Sequence, residues 1–465
     1  MALQFRLFPK EVYEQRRAVL MQSMGEGLLL FLGNEESSMN YRDNWYPFRQ
    51  DSSFLYYFGL DTAGLAATID LSTGNTVIYG NELTIDDIVW TGPLPSIKEM
   101  AAAVGVTQTA PYGALAQVLA GAKQAVHYLP PYRPENRIRL AEWLGIPVAQ
   151  VNEQRSLALV KAVIAQRSHK DALEIAEMHQ ATLISGDMHL AAMRSARVGM
   201  KEYEIVAKVK EVAYANNGQL SFSPIVTVHG ETLHNVYSGN TLKEGDLVLC
   251  DAGASNDMNY AGDLTCTFPA GKKFTTKQKA IYEIVLGSHR HAVSLLKPGV
   301  LFRDVYWAAA GKLVEGLKGL GLMKGDVQEA VMAGAHAMFF QCGLGHMIGL
   351  DVHDMEDLGE QYVGYTDTLT KSTQFGMKSL RLGRALEPGF TLTVEPGLYF
   401  IPELMDLWKS QGKFTDFINY PALDAYRDFS GIRVEEDYHI TATGAERLGK
   451  ALPMDVEAIE ELRRG

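Results

Sequence analysis

Cysteine is scarce in this chain, with three residues, Cys250, Cys266 and Cys342, among 465. Such a small and odd number argues against a disulfide framework and is typical of reduced thiols in the cytoplasm. Long apolar runs are missing too, since no stretch of about eighteen apolar residues occurs and the N-terminus lacks the apolar segment of a signal peptide. We therefore expect a soluble, cytoplasmic protein without a membrane partner.

Clusters of basic residues are also missing. The chain has 43 Lys and Arg against 55 Asp and Glu, which gives a net charge of −12. This acidic balance argues against nucleic acid and anionic membranes as partners. The 47% hydrophobic and 21% charged residues are an ordinary composition for a folded protein, and the length exceeds that of one typical domain.

The order of predicted elements divides the chain into two parts. Residues 1–155 alternate between helix-like and strand-like segments, with turn residues at 72–75 that predict a hairpin, so we expect a small α/β domain. Residues 151–157 break this pattern. The second part, 156–465, predicts long helices over 170–197, 201–217 and 277–296. Gly218 is expected to end the second of these, and Thr275 with Gln278 forms a capping box before the third.

Two aspartates, Asp251 and Asp263, lie in the segment LVLCDAGASNDMNYAGDLTCTFP. Asp251 ends a continuous apolar run, which is typical of a central buried strand, and a carboxylate there needs a strong partner. From Gly262 onwards the side chains alternate, so Asp263 shares a polar face with Thr265 and Thr267.

Two later strands repeat this alternation. Glu395 closes a polar face in the segment TLTVE, and Glu435 shares a face with Arg433 and Asp437. Three strands are thus each expected to present a carboxylate. Alternatively, each acid is simply a solvated residue on an exposed strand, as acids usually are.

Two histidines, His346 and His353, lie among glycines in the segment CGLGHMIGLDVHD, where glycine allows a close backbone approach. Four carboxylates and one imidazole suit divalent manganese, cobalt or zinc, and they are numerous enough to hold two ions. The residues therefore predict a metal centre.

The candidate ligands resemble the ligand set of the pita-bread metallopeptidases. So do the motifs around them, YAGDLT, GLGH, TVEPGLY and GIRVEED. The five residues concerned are Asp251, Asp263, His346, Glu395 and Glu435. The chain is most similar to the proline-specific branch, prolidase and aminopeptidase P, and its segment YPFRQDSSFLYYFGLD is similar to the amino-terminal domain of that branch. The resemblance implies an α+β protein. A pita-bread domain with pseudo-twofold symmetry, a curved antiparallel sheet and outer helices would occupy 156–465, after an aminopeptidase P-like domain at 1–155.

The resemblance further implies a peptidase that uses two divalent ions per chain, with manganese expected and cobalt or zinc as alternatives. Asp251 would bind one ion, Asp263 and Glu435 would bridge both, and His346 and Glu395 would complete the other. A hydroxide between the two ions would attack the Xaa-Pro peptide bond.

The same resemblance implies roles for other residues. His234 and His353 match family histidines that contact the substrate and stabilise the tetrahedral intermediate, and Arg433 is expected to orient the carboxylates. Arg381, in the segment SLRLGR, matches a prolidase arginine that binds the dipeptide carboxylate, for which a guanidinium fork is well shaped. Cys342 stands where the family usually has a histidine lining the substrate pocket, which puts rate or substrate choice in doubt.

These residues are compatible with several functions. The first is a prolidase that cleaves Xaa-Pro dipeptides, and the second is an aminopeptidase P that acts on longer peptides. The third is a binding protein or a catalytically weakened homologue, because of Cys342. A creatinase-like hydrolysis without metal is disfavoured by the complete ligand set. Two insertions that resemble prolidase in length favour the first, with dipeptides or short peptides as partners and a homodimer or homotetramer as the assembly.

Overall fold

Strand pairing and helix packing in the computed structural model, which describes residues 5–464, define two structural units. Unit 1 comprises Met1–Arg167 and Met355–Tyr362, and unit 2 comprises Ser168–Asp354 and Val363–Gly465. The last helix of the first segment, Leu157–Arg167, thus belongs to unit 1. The expected boundary of independently folded domains at residue 155 stays a prediction.

Unit 1 is built from helices around one mixed sheet. Its helices are α1 (Lys10–Ser23), α2 (Ser52–Phe58), α3 (Ile85–Thr91), α4 (Ile97–Ala103), α5 (Ala114–Ala120), α6 (Pro134–Leu144) and α7 (Leu157–Arg167). Its strands are β1 (Leu28–Leu32), β2 (Ala66–Asp70), β3 (Thr76–Tyr79), β4 (Gln108–Ala110) and β5 (Val126–Tyr128). The order is β4-β3-β2-β1-β5, with parallel outer pairs and antiparallel inner pairs. The expected hairpin is present as β2 and β3, which confirms the α/β character of this part.

Unit 2 contains longer helices and short antiparallel strands. Its helices are α8 (Ala172–Ser195), α9 (Glu202–Ala215), α10 (Thr276–Ser294), α11 (Phe302–Gly319), α12 (Val327–Ala333), α13 (Glu360–Val363, which overlaps the segment assigned to unit 1), α14 (Pro402–Ser410), α15 (Tyr420–Leu423) and α16 (Val456–Arg464). Its strands are β6 (Gln219–Leu220), β7 (Ile225–Thr227), β8 (Leu247–Ala252), β9 (Ala254–Ser255), β10 (Leu264–Pro269), β11 (Thr391–Val394), β12 (Gly397–Tyr399), β13 (Gly431–Arg433), β14 (Glu436–Ile440) and β15 (Ala445–Arg447).

The strands of unit 2 pair antiparallel, in the orders β10-β8-β7, β11-β14-β15, β12-β13 and β6-β9. An isolated bridge between Thr265 and Glu435 links the first two of these groups. Together with the helices this is the expected α+β arrangement of antiparallel strands. The segment 432–437, expected as one strand, is interrupted at Val434 and Glu435, so it forms the separate strands β13 and β14.

The helix predictions are confirmed in unit 2, with one change of detail. Thr275 and Gln278 form the capping box of α10. At the end of α9, however, the left-handed residue is Asn217, with φ of 55°. Gly218 is required for a different reason, since a Cβ there would lie 2.6 Å from the carbonyl oxygen of Ser255. Its small size permits a close approach of two backbone segments.

Several threonines lie in the interior of unit 2, where apolar side chains would be expected. Thr265, Thr267, Thr391 and Thr393 are all buried on or beside the strands that carry the candidate ligands. Thr267 Oγ1 donates to the carbonyl oxygen of Arg433 at 2.9 Å. A buried polar strand face needs such partners, and these threonines surround the site described next. No helix within residues 5–464 has the length and hydropathy required to cross a membrane.

Candidate metal centre

Asp251 and Asp263 come together through the pairing of β8 with β10. Asp251 lies directly opposite Thr265 in this pair, and Asp263 immediately precedes β10. Since residues two apart share a strand face, Asp263 points to the same side as Thr265 and Asp251. Both aspartates are buried.

Glu435 reaches the same place from the C-terminal part of the chain. Its N–H donates to the carbonyl oxygen of Thr265 at 3.0 Å, which places the two backbones side by side. Thr265 Oγ1 donates to Glu435 Oε2 at 2.7 Å and so fixes the carboxylate. Glu435 is only 2% exposed.

His346 and Glu395 complete the cluster. His346 Nε2 lies 3.5 Å from Asp263 Oδ2 and 3.6 Å from Glu395 Oε1. His346 Nδ1 lies 3.0 Å from the carbonyl oxygen of Met347, which can only accept, so Nδ1 carries a proton there and the Nε2 lone pair can face a cation when the ring is neutral. The Thr393 N–H donates to the carbonyl oxygen of His346 at 3.0 Å, which seats this segment against β11.

Three carboxyl groups of the cluster have raised pKa values, so a bound positive charge would stabilise their ionised forms. Burial, followed by the nearby charge of Asp251, raises the pKa of Asp263 to about 8. Burial likewise raises the pKa of Glu395 to about 6 and holds that of Glu435 well above its ordinary value. Buried carboxylates this close together repel one another in their charged forms.

The donor set fits divalent cations. Ligand atoms of Asp263, His346 and Glu435 all lie within 4.8 Å of one another. Asp263 Oδ1 is buried, and among residues 5–464 it has no hydrogen-bond partner. Oxygen donors with one imidazole are suited to manganese, cobalt or zinc. The structure therefore brings three of the expected ligands, Asp263, His346 and Glu435, close enough together to hold a cation, with Glu395 beside His346.

Arg433 supplies a fixed positive charge beside the carboxylates. Its guanidinium donates to Asp251 Oδ2, to Tyr399 Oη at 2.9 Å and to Thr265 Oγ1 at 3.1 Å. The side chain is buried, and a buried guanidinium is favourable only when its donors are satisfied in this way. It thus orients one carboxylate of the cluster directly and a second through Thr265.

The other expected site residues lie around the cluster. The rings of His353 and His346 pack edge-to-face with centroids 4.4 Å apart. His234 is more exposed, and its pKa is lowered by partial burial and then by the charge of Arg433, with further lowering from Arg381 and His353.

Cys342 borders the cluster as a neutral thiol. Burial, followed by the charge of Glu395, raises the pKa of its thiol to about 12. Its Sγ lies 3.7 Å from Tyr399 Oη, the same hydroxyl that accepts from Arg433. A group so reluctant to ionise is a poor nucleophile at neutral pH.

Two residues of this site, Thr265 and Tyr399, were not expected from the sequence to have a role. The sequence did contain a signal for Thr265, because it shares the polar face of β10 with Asp263. Tyr399 ends the motif TVEPGLY, but the role of its hydroxyl depends on Arg433, which lies 34 positions away in the chain.

Comparisons with known proteins cover nearly the whole chain. Residues 176–442 match the model of metallopeptidase family M24, and residues 13–128 match that of the aminopeptidase P N-terminal domain. The chain is 33% identical to a human Xaa-Pro dipeptidase over 451 residues, which cover 94% of this chain and 89% of the relative. It is 29% identical to a probable Xaa-Pro aminopeptidase of Uncinocarpus reesii over 470 residues, 98% of this chain and 94% of the relative.

Two solved aminopeptidase structures are similar to this one. The aminopeptidase PepP of Pseudomonas aeruginosa superposes with a TM-score of 0.81 at 28% identity, with 98% of each chain covered. The zinc-substituted aminopeptidase P of Escherichia coli in complex with product gives a TM-score of 0.81 at 27% identity, with 99% of each chain covered.

Proposed function

Since the chain belongs to metallopeptidase family M24 and is a metal-dependent Xaa-Pro peptidase, we propose that it acts on Xaa-Pro dipeptides. This is the prolidase activity, in which the residue released after cleavage is proline itself. The choice between dipeptides and longer peptides depends on what receives the carboxylate of the proline residue.

We further propose which residues hold the two divalent ions. They are Asp251, Asp263, His346, Glu395 and Glu435. This proposal is supported by the burial of all but Glu395 and by the close approach of Asp263, His346 and Glu435. Bound ions of this kind polarise the scissile carbonyl and lower the pKa of water. The chain itself holds the ligands in place through the hydrogen bonds of Thr265 and Arg433.

His234 and His353 are proposed to contact the substrate. His353 packs against His346, so it lies beside the reacting centre. The lowered pKa of His234 keeps its imidazole neutral in neutral solution, where one ring nitrogen donates and the other accepts. A neutral imidazole can donate to a peptide carbonyl oxygen that gains negative charge.

The observation that carries the dipeptide proposal is the position of Arg381. Burial and then the charge of Arg433 lower the pKa of His234, and the charge of Arg381 lowers it further, which supports an interaction between this guanidinium and the proposed substrate-binding histidine. Its backbone is held on both sides, because Tyr365 Oη donates to the Leu380 carbonyl at 2.7 Å and the Gly383 N–H donates to the Gly364 carbonyl at 2.8 Å. A guanidinium held this way can form two parallel hydrogen bonds to a carboxylate.

The test compares Arg381→Ala with Arg384→Ala. Arg384 is a matched control, since it lies three residues away and pairs with Glu387 at 2.6 Å. On an Xaa-Pro dipeptide, kcat/KM of Arg381→Ala should fall by about 10² to 10³-fold, as for loss of one partner of a buried charge pair. On the amide of the same dipeptide, which has no carboxylate, the change should be much smaller, and Arg384→Ala should leave both rates close to wild type.

The alternative is an aminopeptidase P, which the similar solved structures favour. Unaltered enzyme that cleaves tripeptides faster than dipeptides would support it. Equal losses on dipeptide and amide in Arg381→Ala would assign that arginine a structural role and contradict the proposed carboxylate contact.

A further inference from the structure

The strands that carry the aspartates of the metal centre carry a second ligand set on their other side. Cys250 and Cys266 lie directly opposite each other in the β8–β10 pair. They are the chain neighbours of Asp251 and Thr265, and successive side chains of a strand point to opposite faces. Oxygen donors therefore occupy one face of this pair and sulphur donors the other.

His189 of α8 joins the two cysteines. Its Nδ1 lies 3.0 Å from Cys266 Sγ, and its Nε2 lies 2.9 Å from the carbonyl oxygen of Ala252. A carbonyl oxygen only accepts, so Nε2 carries the proton and Nδ1 presents its lone pair to the sulphurs. Metal-binding histidines are oriented in the same way, by a hydrogen bond from the other ring nitrogen to a carbonyl.

The size and setting of this group suit a cation. The donor atoms of His189, Cys250 and Cys266 all lie within 4.8 Å of one another, and the three residues are buried. For comparison, Zn–S bonds of about 2.3 Å and Zn–N bonds of about 2.0 Å place neighbouring donors of a tetrahedral site roughly 3.5 Å apart. His189 Nδ1 and Cys266 Sγ, which are 3.0 Å apart, would have to move apart to reach that spacing.

We propose that His189, Cys250 and Cys266 form a buried site for one divalent thiophilic cation, with zinc as its representative. Binding would release the two thiol protons to solvent, and two thiolates with a neutral imidazole would then balance a charge of two. A neutral assembly avoids the cost of burying net charge. The ion would join α8 to β8 and β10, behind the strands that position Asp251 and Asp263, as a structural link.

The experiment uses the full chain, purified under reducing conditions from cells supplied with divalent cobalt as the probe. X-ray absorption at the cobalt edge should show sulphur neighbours, and the optical spectrum should show thiolate-to-cobalt charge transfer. Cys266→Ser should lose both signals and about one equivalent of cobalt per chain. Glu435→Ala, which changes only the oxygen-donor cluster, should keep both.

Cys342→Ser is the matched control, because Cys342 is the chain's third cysteine and lies outside this group. It should leave the sulphur signals unchanged. Their loss in this variant would place the thiolate ligand at the other centre and overturn the proposal. Cobalt bound in wild-type protein through oxygen and nitrogen alone would overturn it as well.

If Cys266→Ser does not fold, a measurement on the wild-type protein tests the site instead. Cadmium NMR of the wild-type protein should show one resonance in the range of sulphur ligation, and its absence from cadmium-loaded, folded protein would refute the site. None of these readouts is peptidase activity, so failure of the dipeptidase proposal and failure of this one are separable.

Discussion

At the scale of single residues, Cys342 occupies the position at which the family resemblance implies a histidine that lines the substrate pocket. Its thiol is neutral, with a pKa raised to about 12, and lies beside Tyr399 at the edge of the candidate metal centre. We expect Cys342→His to raise kcat/KM on an Xaa-Pro dipeptide by about 10-fold to 10²-fold, because an imidazole donor there can stabilise charge that develops in the transition state.

The matched control is Cys342→Ser, which changes the thiol to another small polar group without adding an imidazole, and it should show no such gain. Steady-state kinetics of both variants on one dipeptide decide the matter. Unchanged rates in Cys342→His would contradict the expectation and indicate that the cysteine is adapted to the natural substrate.

His289 is a second residue whose environment makes a measurable prediction. It is 2% exposed, and neither ring nitrogen has a hydrogen-bond partner among residues 5–464, although Glu436 Oε2 lies 4.0 Å from Nε2. Burial, followed by the charge of Arg290, lowers its pKa to about 3. Below its ordinary pKa of about 6.5 the unfolded chain binds this proton more readily, so stability is lost as the pH falls from about 6.5 towards 3.

We therefore expect His289→Leu to flatten the loss of stability on acidification, by about 2 kcal/mol between pH 7 and pH 5. Urea unfolding of the variant at both values measures this. His291→Leu, two residues further along the same helix and partly exposed, is the control and should keep the wild-type difference. If both variants follow the wild-type slope, His289 is not the group responsible.

At the scale of elements, the start of α10 depends on its capping box. Thr275 Oγ1 accepts from the Gln278 N–H at 3.2 Å, and Gln278 Oε1 accepts from the Thr275 N–H at 2.9 Å. Thr275→Ala should lower the free energy of unfolding by about 1 kcal/mol, because an N–H of the first turn loses its acceptor. Thr275→Asp should keep most of the stability.

Thr276→Ala is the matched control for this prediction, since Thr276 is the first residue inside the helix and has no part in the box. The unfolding midpoints in urea should separate the two alanine variants. Equal midpoints would mean that the cap contributes nothing to α10 in the folded chain.

At the scale of the whole molecule, bound metal should stabilise the fold. The pKa values of Asp263 and of the less buried Glu395 are raised by burial and by the charges of neighbouring carboxylates, and bound cations would relieve both effects. At a free metal concentration of about 100 times Kd, the added stability should be about 3 kcal/mol per site. Thermal unfolding with manganese and with chelator measures the difference.

Glu435→Ala should abolish most of this difference, together with manganese occupancy by elemental analysis and with peptidase activity. Glu446→Ala is the control, because Glu446 is an exposed acid on β15, outside the cluster. A wild-type protein whose melting temperature does not respond to metal, or a Glu435→Ala variant with full activity, would refute the proposed ligand set.

Local properties of this protein were determined by the sequence alone. The alternation that puts Asp263 and Thr265 on one face follows from the two-residue period of a strand, and the capping box of α10 follows from residues three apart. Such features depend on neighbours in the chain. Motif resemblance added the expected ligands, the antiparallel α+β fold and the peptidase class.

Only the tertiary structure decided which distant residues meet. Thr265 lies between Asp251 and Glu435, and the latter is 170 positions away, while Arg433 reaches Asp251 across 182 positions. His189 likewise meets Cys266 only because α8 packs behind β10. Strand periodicity says nothing about the partner or the register of a strand, because these depend on long-range pairing and on packing against helices. For that reason the faces of the strands could be predicted from the sequence, and the cluster of His189, Cys250 and Cys266 behind them could not.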